Sequence, residues 1–143
     1  METLWLILAG LSAIFAALVA IFGKVGLENV DSTTATAIRA IVMAIFLIGA
    51  IFIFGKVPEI SKVLQNHKAL LFITFSGIAG ALSWLFYFLA LKIGPVSGVV
   101  SIDKLSLVFA LILASLFLGE HITLKSGIGI CLMVAGAILI VLK

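Results

Sequence analysis

Residues 96–118 read VSGVVSIDKLSLVFALILASLFL, an apolar run of membrane-spanning length that carries a carboxylate and an ammonium side by side, Asp103 and Lys104. About 20 residues of helix, at ~1.5 Å rise each, cross the ~30 Å hydrocarbon core of a bilayer. An ionised side chain there costs from roughly 3 to above 10 kcal/mol, so it persists only with a partner, a watery cavity or a function. The stretch therefore predicts a transmembrane helix and marks two candidate functional residues.

The rest of the chain has the same character. Hydrophobic residues make up 64% of it and charged residues 10%, against roughly a quarter charged in soluble domains. The first stretch lacks the basic start of a signal peptide, because Glu2 is the only charge before Lys24, so we expect a retained helix. We predict an all-α membrane protein, a bundle of five transmembrane helices in one domain over residues 1–143. The five predicted helices cover about residues 3–22, 33–54, 69–91, 96–118 and 124–142.

The connections carry recognisable signals for starting and ending helices. These are Asp31-Ser32 as a cap before the second helix, Pro58–Lys68 as a short helix at the membrane surface, Gly94-Pro95 as a tight turn, and Gly119-Glu120-His121 after the fourth helix.

The orientation in the membrane is weakly specified by charge. Five spans put the two termini on opposite faces. The face with the amino terminus carries four basic residues and the other face carries three: Lys56, Lys62, Lys68 and Lys125 against Lys24, Lys92 and Lys143. Under the positive-inside rule this bias allows two interpretations, a fixed orientation with the amino terminus inside, or insertion both ways with pairing of inverted copies.

A third charge, Arg39, lies in the second stretch. Arg39 and Asp103 each lie ~10 Å from the start of a helix, and both helices start on the same face. We hypothesise that Asp103 is a protonatable or cation-pairing group with Arg39 as its counter-ion. A pair that only specifies the fold is the alternative. Lys104 is expected to point about 100° away from Asp103 and to need another partner, a cavity or a reach back to the membrane interface.

An indole and a phenol lie near the same depth in the third helix. Trp84 and Tyr87 are three residues apart, hence on one side of the helix, with Ser83 beside them. They predict a pocket for an organic cation or an amphipathic solute. Ordinary helix packing is the alternative.

Small residues recur on two of the predicted helices, where they favour close helix packing within the chain or with a second copy. These are Ser76, Gly77, Gly80 and Ala81 in the third helix, and Ser126, Gly129, Gly136 and Ala137 in the fifth.

Several classes of function are disfavoured. Neither His67 nor His121 lies inside a predicted helix, and Cys131 is the single cysteine. The sequence has no glycine-rich phosphate loop and no paired metal carboxylates. The net charge of +3 is spread over the loops, so the basic residues are too sparse to form a surface that binds nucleic acid. We expect no enzyme activity, no cofactor, no metal and no nucleic-acid partner.

Motifs in both halves resemble the repeat unit of the EamA family, in the drug/metabolite transporter superfamily. They are Phe22-Gly23-Lys24-Val25-Gly26, Ala37-Ile38-Arg39-Ala40, Ala90-Leu91-Lys92-Ile93-Gly94-Pro95-Val96-Ser97, Phe117-Leu118-Gly119-Glu120, Ser126-Gly127 and Ala135-Gly136. Most family members carry two such units in inverted orientation, whereas this chain resembles the short members with one. At Asp103-Lys104-Leu105-Ser106 it departs from the family, where many units place a proline.

The resemblance implies a secondary transporter of a small metabolite or amphipathic solute in the cytoplasmic (inner) membrane. The expected partners are the lipid bilayer, a small solute and a second, inverted copy of the chain. The implied pathway residues are Asp103, Arg39, Lys104, Trp84, Tyr87, Ser83 and Ser106, with Gly129, Gly136 and Ala137 as packing or dimer residues. The alternatives are a non-transporting membrane subunit, one half of a heterodimeric lipid-carrier flippase, and an ion channel.

Overall fold

The computed structural model describes residues 3–121 and 123–142, and within them it contains α-helices and no strand. The predicted domain also includes Met1, Glu2, Ile122 and Lys143, which lie outside the described residues. Lys143 is one of the three basic residues assigned to the second membrane face. The helices are α1 (Leu4–Gly26), α2 (Ser32–Ile53), α3 (Val57–Gln65), α4 (His67–Ile93), α5 (Val96–Asp103), α6 (Ser106–Leu118) and α7 (Leu124–Val141).

Five segments of the described chain are long and apolar enough to cross a membrane: α1, α2, α4, α7 and the stretch Val96–Leu118, which α5 and α6 share. Most of their large apolar side chains are exposed, as expected for helices surrounded by hydrocarbon. The predicted class, an all-α membrane protein with five spans, is confirmed. Helices α1 and α4 are longer than predicted. Helix α1 runs on to Gly26, and α4 spans His67–Ile93, so this histidine is helical although it was predicted to lie outside the helices.

The chain forms two compact units. The first unit comprises Met1–Lys24 and Ile93–Lys143, and the second comprises Val25–Lys92. The first unit therefore holds most of α1 together with α5, α6 and α7. The second holds α2, α3 and nearly all of α4, and its most buried apolar side chains include Phe88 and Leu91.

In the first unit, α5 packs against α7, and Gly98 of α5 lies near Val141 of α7. A Cβ atom built at Gly98 would lie 3.4 Å from Pro95 Cγ and 4.0 Å from Val141 Cγ2. The Lys24 ammonium donates a hydrogen bond to the Gly94 carbonyl oxygen at 2.9 Å, which ties the end of α1 to the turn before α5. Gly98 is therefore a glycine at a helix contact that lies outside the two small-residue stripes predicted from the sequence.

The predicted small-residue stripe on α7 is only partly buried. Ala137 is buried, whereas a Cβ at Gly129 or Gly136 would meet nothing within 4 Å. Cys131 on the same helix is exposed. A role for Gly129, Gly136 and Ala137 in contact with a second copy stays a prediction.

The predicted helix boundaries depend on local hydrogen bonds. The backbone N–H and the hydroxyl of Thr34 donate to Asp31 Oδ1 at 2.8 and 2.9 Å, which makes Asp31 the N-cap of α2. These bonds hold the pKa of the Asp31 carboxyl below its ordinary value of 3.8. Ser32 is the first residue of the helix and is buried, so the cap is the acid alone. Gly119 ends α6 in the left-handed region at φ 70°, which glycine adopts without strain.

The short connecting helix is present as predicted. Helix α3 has Val57, Ile60, Val63 and Leu64 interleaved with polar residues, and Glu59 forms a 2.8 Å ion pair with Lys62. Its position at the membrane surface stays a prediction.

The predicted span over 96–118 is present as one stretch of membrane-spanning length, with a local change of hydrogen bonding at Lys104 and Leu105. Helix α5 ends at Asp103, and the Leu105 N–H bonds to the Ile102 carbonyl three residues back at 2.9 Å. Lys104 and Leu105 keep right-handed helical backbone angles, and helix α6 begins at Ser106. The expectation that Lys104 points away from Asp103 is wrong, because its Nζ lies 3.6 Å from Asp103 Oδ2. The flexible four-carbon stem of Lys104 allows it to reach the neighbouring carboxylate.

The approach of α5 and α7 generates a packing prediction. Gly98→Leu forces side-chain atoms into Pro95 and Val141, and such overpacking costs about 1–3 kcal/mol. We expect a lower temperature of thermal unfolding in detergent. Gly127→Leu, on α7 with nothing within 4 Å of its Cβ position, is the matched control and should leave that temperature unchanged or raised. Equal unfolding temperatures would show that α5 and α7 do not pack closely at Gly98.

Candidate functional site

In the second unit, α2 and α4 line a cavity of about 610 Å³. The residues of α2 in its lining are Thr33, Thr36, Ala37, Arg39, Ala40 and Met43. Those of α4 are Gly77, Ile78, Gly80, Ala81, Leu82, Trp84 and Leu85. The walls are mainly apolar, and the lining that the structure describes contains a single charged side chain, Arg39.

Arg39 reaches from α2 to the aromatic side chains of α4. Its guanidinium carbon lies 3.6 Å from the centroid of the Trp84 ring and 5.1 Å from that of Phe88. A cation over an aromatic face within about 6 Å is attracted by the ring quadrupole, more strongly when water is excluded. Arg39 is two turns into α2, about 10 Å from its first residue. The indole thus stabilises a charge that lies well inside a span.

Three rings of α4 hold one another in place. Trp84 and Tyr87 meet edge to face, with centroids 5.5 Å apart and planes at 80°. Phe88 is buried and lies 5.9 Å from Trp84 and 6.0 Å from Tyr87. The structure therefore brings Trp84 and Tyr87 together, as predicted from their spacing. Trp84 lines the cavity directly, while Tyr87 packs against its edge. Phe88 was missed, although its spacing of four from Trp84 placed it on the same helix face.

The sequence predicted a pocket for an organic cation or an amphipathic solute at Trp84 and Tyr87. The face of Trp84 is instead covered by the guanidinium of Arg39. A ligand cation using that face would have to displace Arg39 and approach a like charge. Ser83 is exposed on α4 and is not among the described lining residues. The predicted proximity of Trp84 and Tyr87 is thus present, and the Arg39 guanidinium covers the face of Trp84.

No carboxylate of the second unit neutralises Arg39 among the described residues. Asp31 is engaged by Thr34, and Glu59 pairs with Lys62. Glu28 makes no ion pair with Arg39. The hypothesised counter-ion, Asp103, belongs to the first unit, and its pairing with Arg39 stays a prediction.

The first unit holds the other predicted pathway residues. Asp103 and Lys104 are partly exposed, and their 3.6 Å separation is an ion pair longer than a good hydrogen bond. Ser106, the first residue of α6, is exposed two positions beyond Lys104. These polar groups gather at the turn between α5 and α6.

The small residues of α4 open space where they were expected to allow close packing. Gly77, Gly80 and Ala81 line the cavity, and a Cβ at either glycine would meet nothing within 4 Å. The absence of side chains on this face of α4 contributes the room beside Arg39.

The described residues contain no group of three or more histidine, cysteine or acidic side chains placed to hold a metal ion. The groups that the cavity offers are apolar surface, two threonine hydroxyls and one guanidinium. That arrangement suits recognition of a solute.

Comparisons with known proteins agree over nearly the whole chain. The model of a family described as the EamA-like transporter family matches residues 3–142. A protein of Sinorhizobium sp, described as an uncharacterized transporter in the cobO 3' region, is 39% identical over 140 residues, which is 98% of each chain. The comparison with solved structures gives no significant match.

Proposed function

The chain belongs to the EamA-like transporter family, and from this premise we propose that it is a secondary carrier for a small metabolite or amphipathic solute in the cytoplasmic membrane. The observation that carries the proposal is the α2/α4 cavity, in which a stacked cation faces apolar walls inside a span. A charged residue at such a depth is by default a functional residue.

The cavity has the dimensions and chemistry of a small-molecule site. Its volume of about 610 Å³ falls in the range of roughly 300–1,000 Å³ that is usual for ligand pockets. Apolar walls with a few placed polar groups are also typical, because the walls bury the body of a ligand while the polar groups fix its orientation. Both properties support solute binding by the second unit.

We further propose that the carrier works as a homodimer of oppositely oriented copies. Carriers of this kind alternate access by rocking one repeat against its inverted counterpart, with the site between them. A chain with one five-span unit needs a second copy for that movement. The weak charge bias and the open surface at Gly129 and Gly136 support this arrangement.

Asp103 is our candidate for coupling to a proton or cation. It is the one carboxylate within the fourth span, and an ionisable carboxylate at membrane depth can exchange a proton or pair with a cation.

Filling the cavity should stop transport. Gly80→Leu adds a side chain to the lining, whereas Gly49→Leu adds the same side chain to α2 outside it, and neither Cβ position has a neighbour within 4 Å. Membrane vesicles incubated with a cytosolic metabolite extract are assayed by mass spectrometry for solutes whose uptake requires the protein. We expect Gly80→Leu to abolish that uptake and Gly49→Leu to retain it. Uptake that survives Gly80→Leu would place the pathway elsewhere.

Neutralising Asp103 should uncouple transport from an ion gradient. In vesicles, Asp103→Asn is expected to keep downhill exchange of the solute but lose its accumulation against a gradient, because the exchangeable charge is gone. Glu120→Gln, in an exposed carboxylate beyond α6, is the control and should accumulate solute normally. Accumulation by Asp103→Asn equal to wild type would restrict Asp103 to a structural role.

An antiparallel homodimer predicts that both orientations are needed. Two lysines added to the connection 23–32 should lock one orientation, and lysines added to the connection 54–68 should lock the other. Each locked form alone should lose transport, and co-expression of the two should restore it. Full activity from one locked form would contradict the antiparallel dimer and favour a parallel dimer or a different partner.

A further inference from the structure

We infer that the solute of the α2/α4 cavity is an amphipathic anion whose anionic group binds the Arg39 guanidinium. The inference rests on the proposed carrier function and specifies the chemical class that this site accepts. It follows from the charge balance of the cavity, the geometry of the guanidinium and the character of the walls.

The charge balance favours an anion. Arg39 is the one charged side chain in the described lining, and the acidic residues of the second unit do not pair with it. Apolar walls strengthen the field of an uncompensated charge by lowering the local dielectric constant. A negatively charged solute therefore gains on entering the cavity, and a positively charged one is repelled.

The stacking geometry leaves hydrogen-bond donors for that anion. At 3.6 Å from the ring centroid, the guanidinium carbon contacts the face of Trp84. This contact uses the π-electrons of the ring and consumes none of the five N–H donors. A planar guanidinium held in this way presents paired N–H groups that match a carboxylate or phosphate.

The walls select an apolar body. Around Arg39 the lining consists mainly of small and aliphatic residues, including Ala40, Met43, Gly77 and Gly80. The Thr36 hydroxyl donates to the Ser32 carbonyl oxygen at 2.7 Å, so it can only accept a hydrogen bond from a ligand. A multiply polar solute would lose hydration here without replacement, whereas a single anionic group on an apolar body fits.

Two sources supply this chemistry, a free organic acid and the headgroup of an anionic lipid. The test uses the protein with Trp5→Phe, in which Trp84 is the remaining tryptophan, in nanodiscs of zwitterionic phosphatidylcholine. The fluorescence of Trp84 is titrated with hexanoate, hexanamide and hexylammonium, which are unbranched, have six carbon atoms each and differ in charge. Iodide and caesium serve as anionic and cationic quenchers, and each quenching constant is divided by that of free N-acetyltryptophanamide, because iodide is intrinsically the stronger quencher.

We expect hexanoate to change Trp84 emission with an apparent affinity at least about tenfold higher than that of hexanamide or hexylammonium. A factor of about ten in affinity corresponds to one charge-assisted hydrogen bond. Iodide should quench Trp84 more strongly than caesium, because the cavity concentrates anions. Both preferences should disappear in Arg39→Met. Arg39→Lys keeps the positive charge but loses the paired N–H donors of the guanidinium. It should therefore keep the iodide preference and bind hexanoate more weakly. Lys68→Met, which removes an exposed cation outside the lining, should change neither.

The inference would be overturned by an equal change of Trp84 emission with the three six-carbon compounds, by tighter binding of hexylammonium, or by no change of emission at all. Quenching by caesium equal to that by iodide in the unmutated cavity would do the same, and this comparison does not depend on whether Arg39→Met folds.

A second set of nanodiscs, containing phosphatidylglycerol, distinguishes the two sources. If lipid headgroups occupy the site, the anionic lipid itself changes Trp84 emission in an Arg39-dependent manner and weakens hexanoate binding. Unchanged hexanoate binding identifies a free organic anion as the ligand. Since these measurements require no transport, anion binding without uptake in vesicles would remove the carrier function while leaving the ligand class in place. Uptake in vesicles without an anion preference would retain the carrier function and remove the proposed ligand class.

Discussion

The contact between the Arg39 guanidinium and the Trp84 ring is the interaction on which the account of this protein depends. A cation inside a span requires compensation, and the described part of its own unit supplies it with aromatic faces rather than a carboxylate. Such a contact stabilises the charge without neutralising it. The remaining features of the site follow from this. The Tyr87 and Phe88 rings hold Trp84 in position, and the small residues of α4 leave space beside the charge.

The first unit uses a different solution for its intramembrane charges. Asp103 and Lys104 lie 3.6 Å apart at the local turn between α5 and α6, so each has an opposite charge beside it. The charges within the spans are therefore compensated in two ways, by aromatic faces in the second unit and by an adjacent opposite charge in the first.

The five spans were predictable because their length and composition are set by bilayer thickness, and Asp31 and Gly119 marked helix boundaries by chemistry that acts within one turn. The local hydrogen bonds to the third residue back, at Leu105, were not predictable, since Ile102, Leu105 and Ser106 are all compatible with regular α-helix. In the site, spacing correctly placed Trp84 and Tyr87 together. It could not reveal that Arg39 stacks on Trp84, because that contact joins two helices. Gly77 and Gly80 illustrate the same limit, since a small residue allows either a close approach or a void and only the neighbouring helix decides which.

A single thiol in the lining of the cavity beside Arg39 shows whether that cavity receives the solute. In a Cys131→Ser background, Ala81→Cys puts the thiol in the lining. The rates at which this thiol reacts with methanethiosulfonate reagents carrying an ethylsulfonate or an ethyltrimethylammonium group are compared, each normalised to the rate for a free thiol in solution. We expect faster reaction with the anionic reagent, loss of that preference in Arg39→Met, and block of solute uptake by the attached group. A thiol that is inert, that prefers the cationic reagent, or that reacts without effect on uptake would show that the solute does not bind beside Arg39.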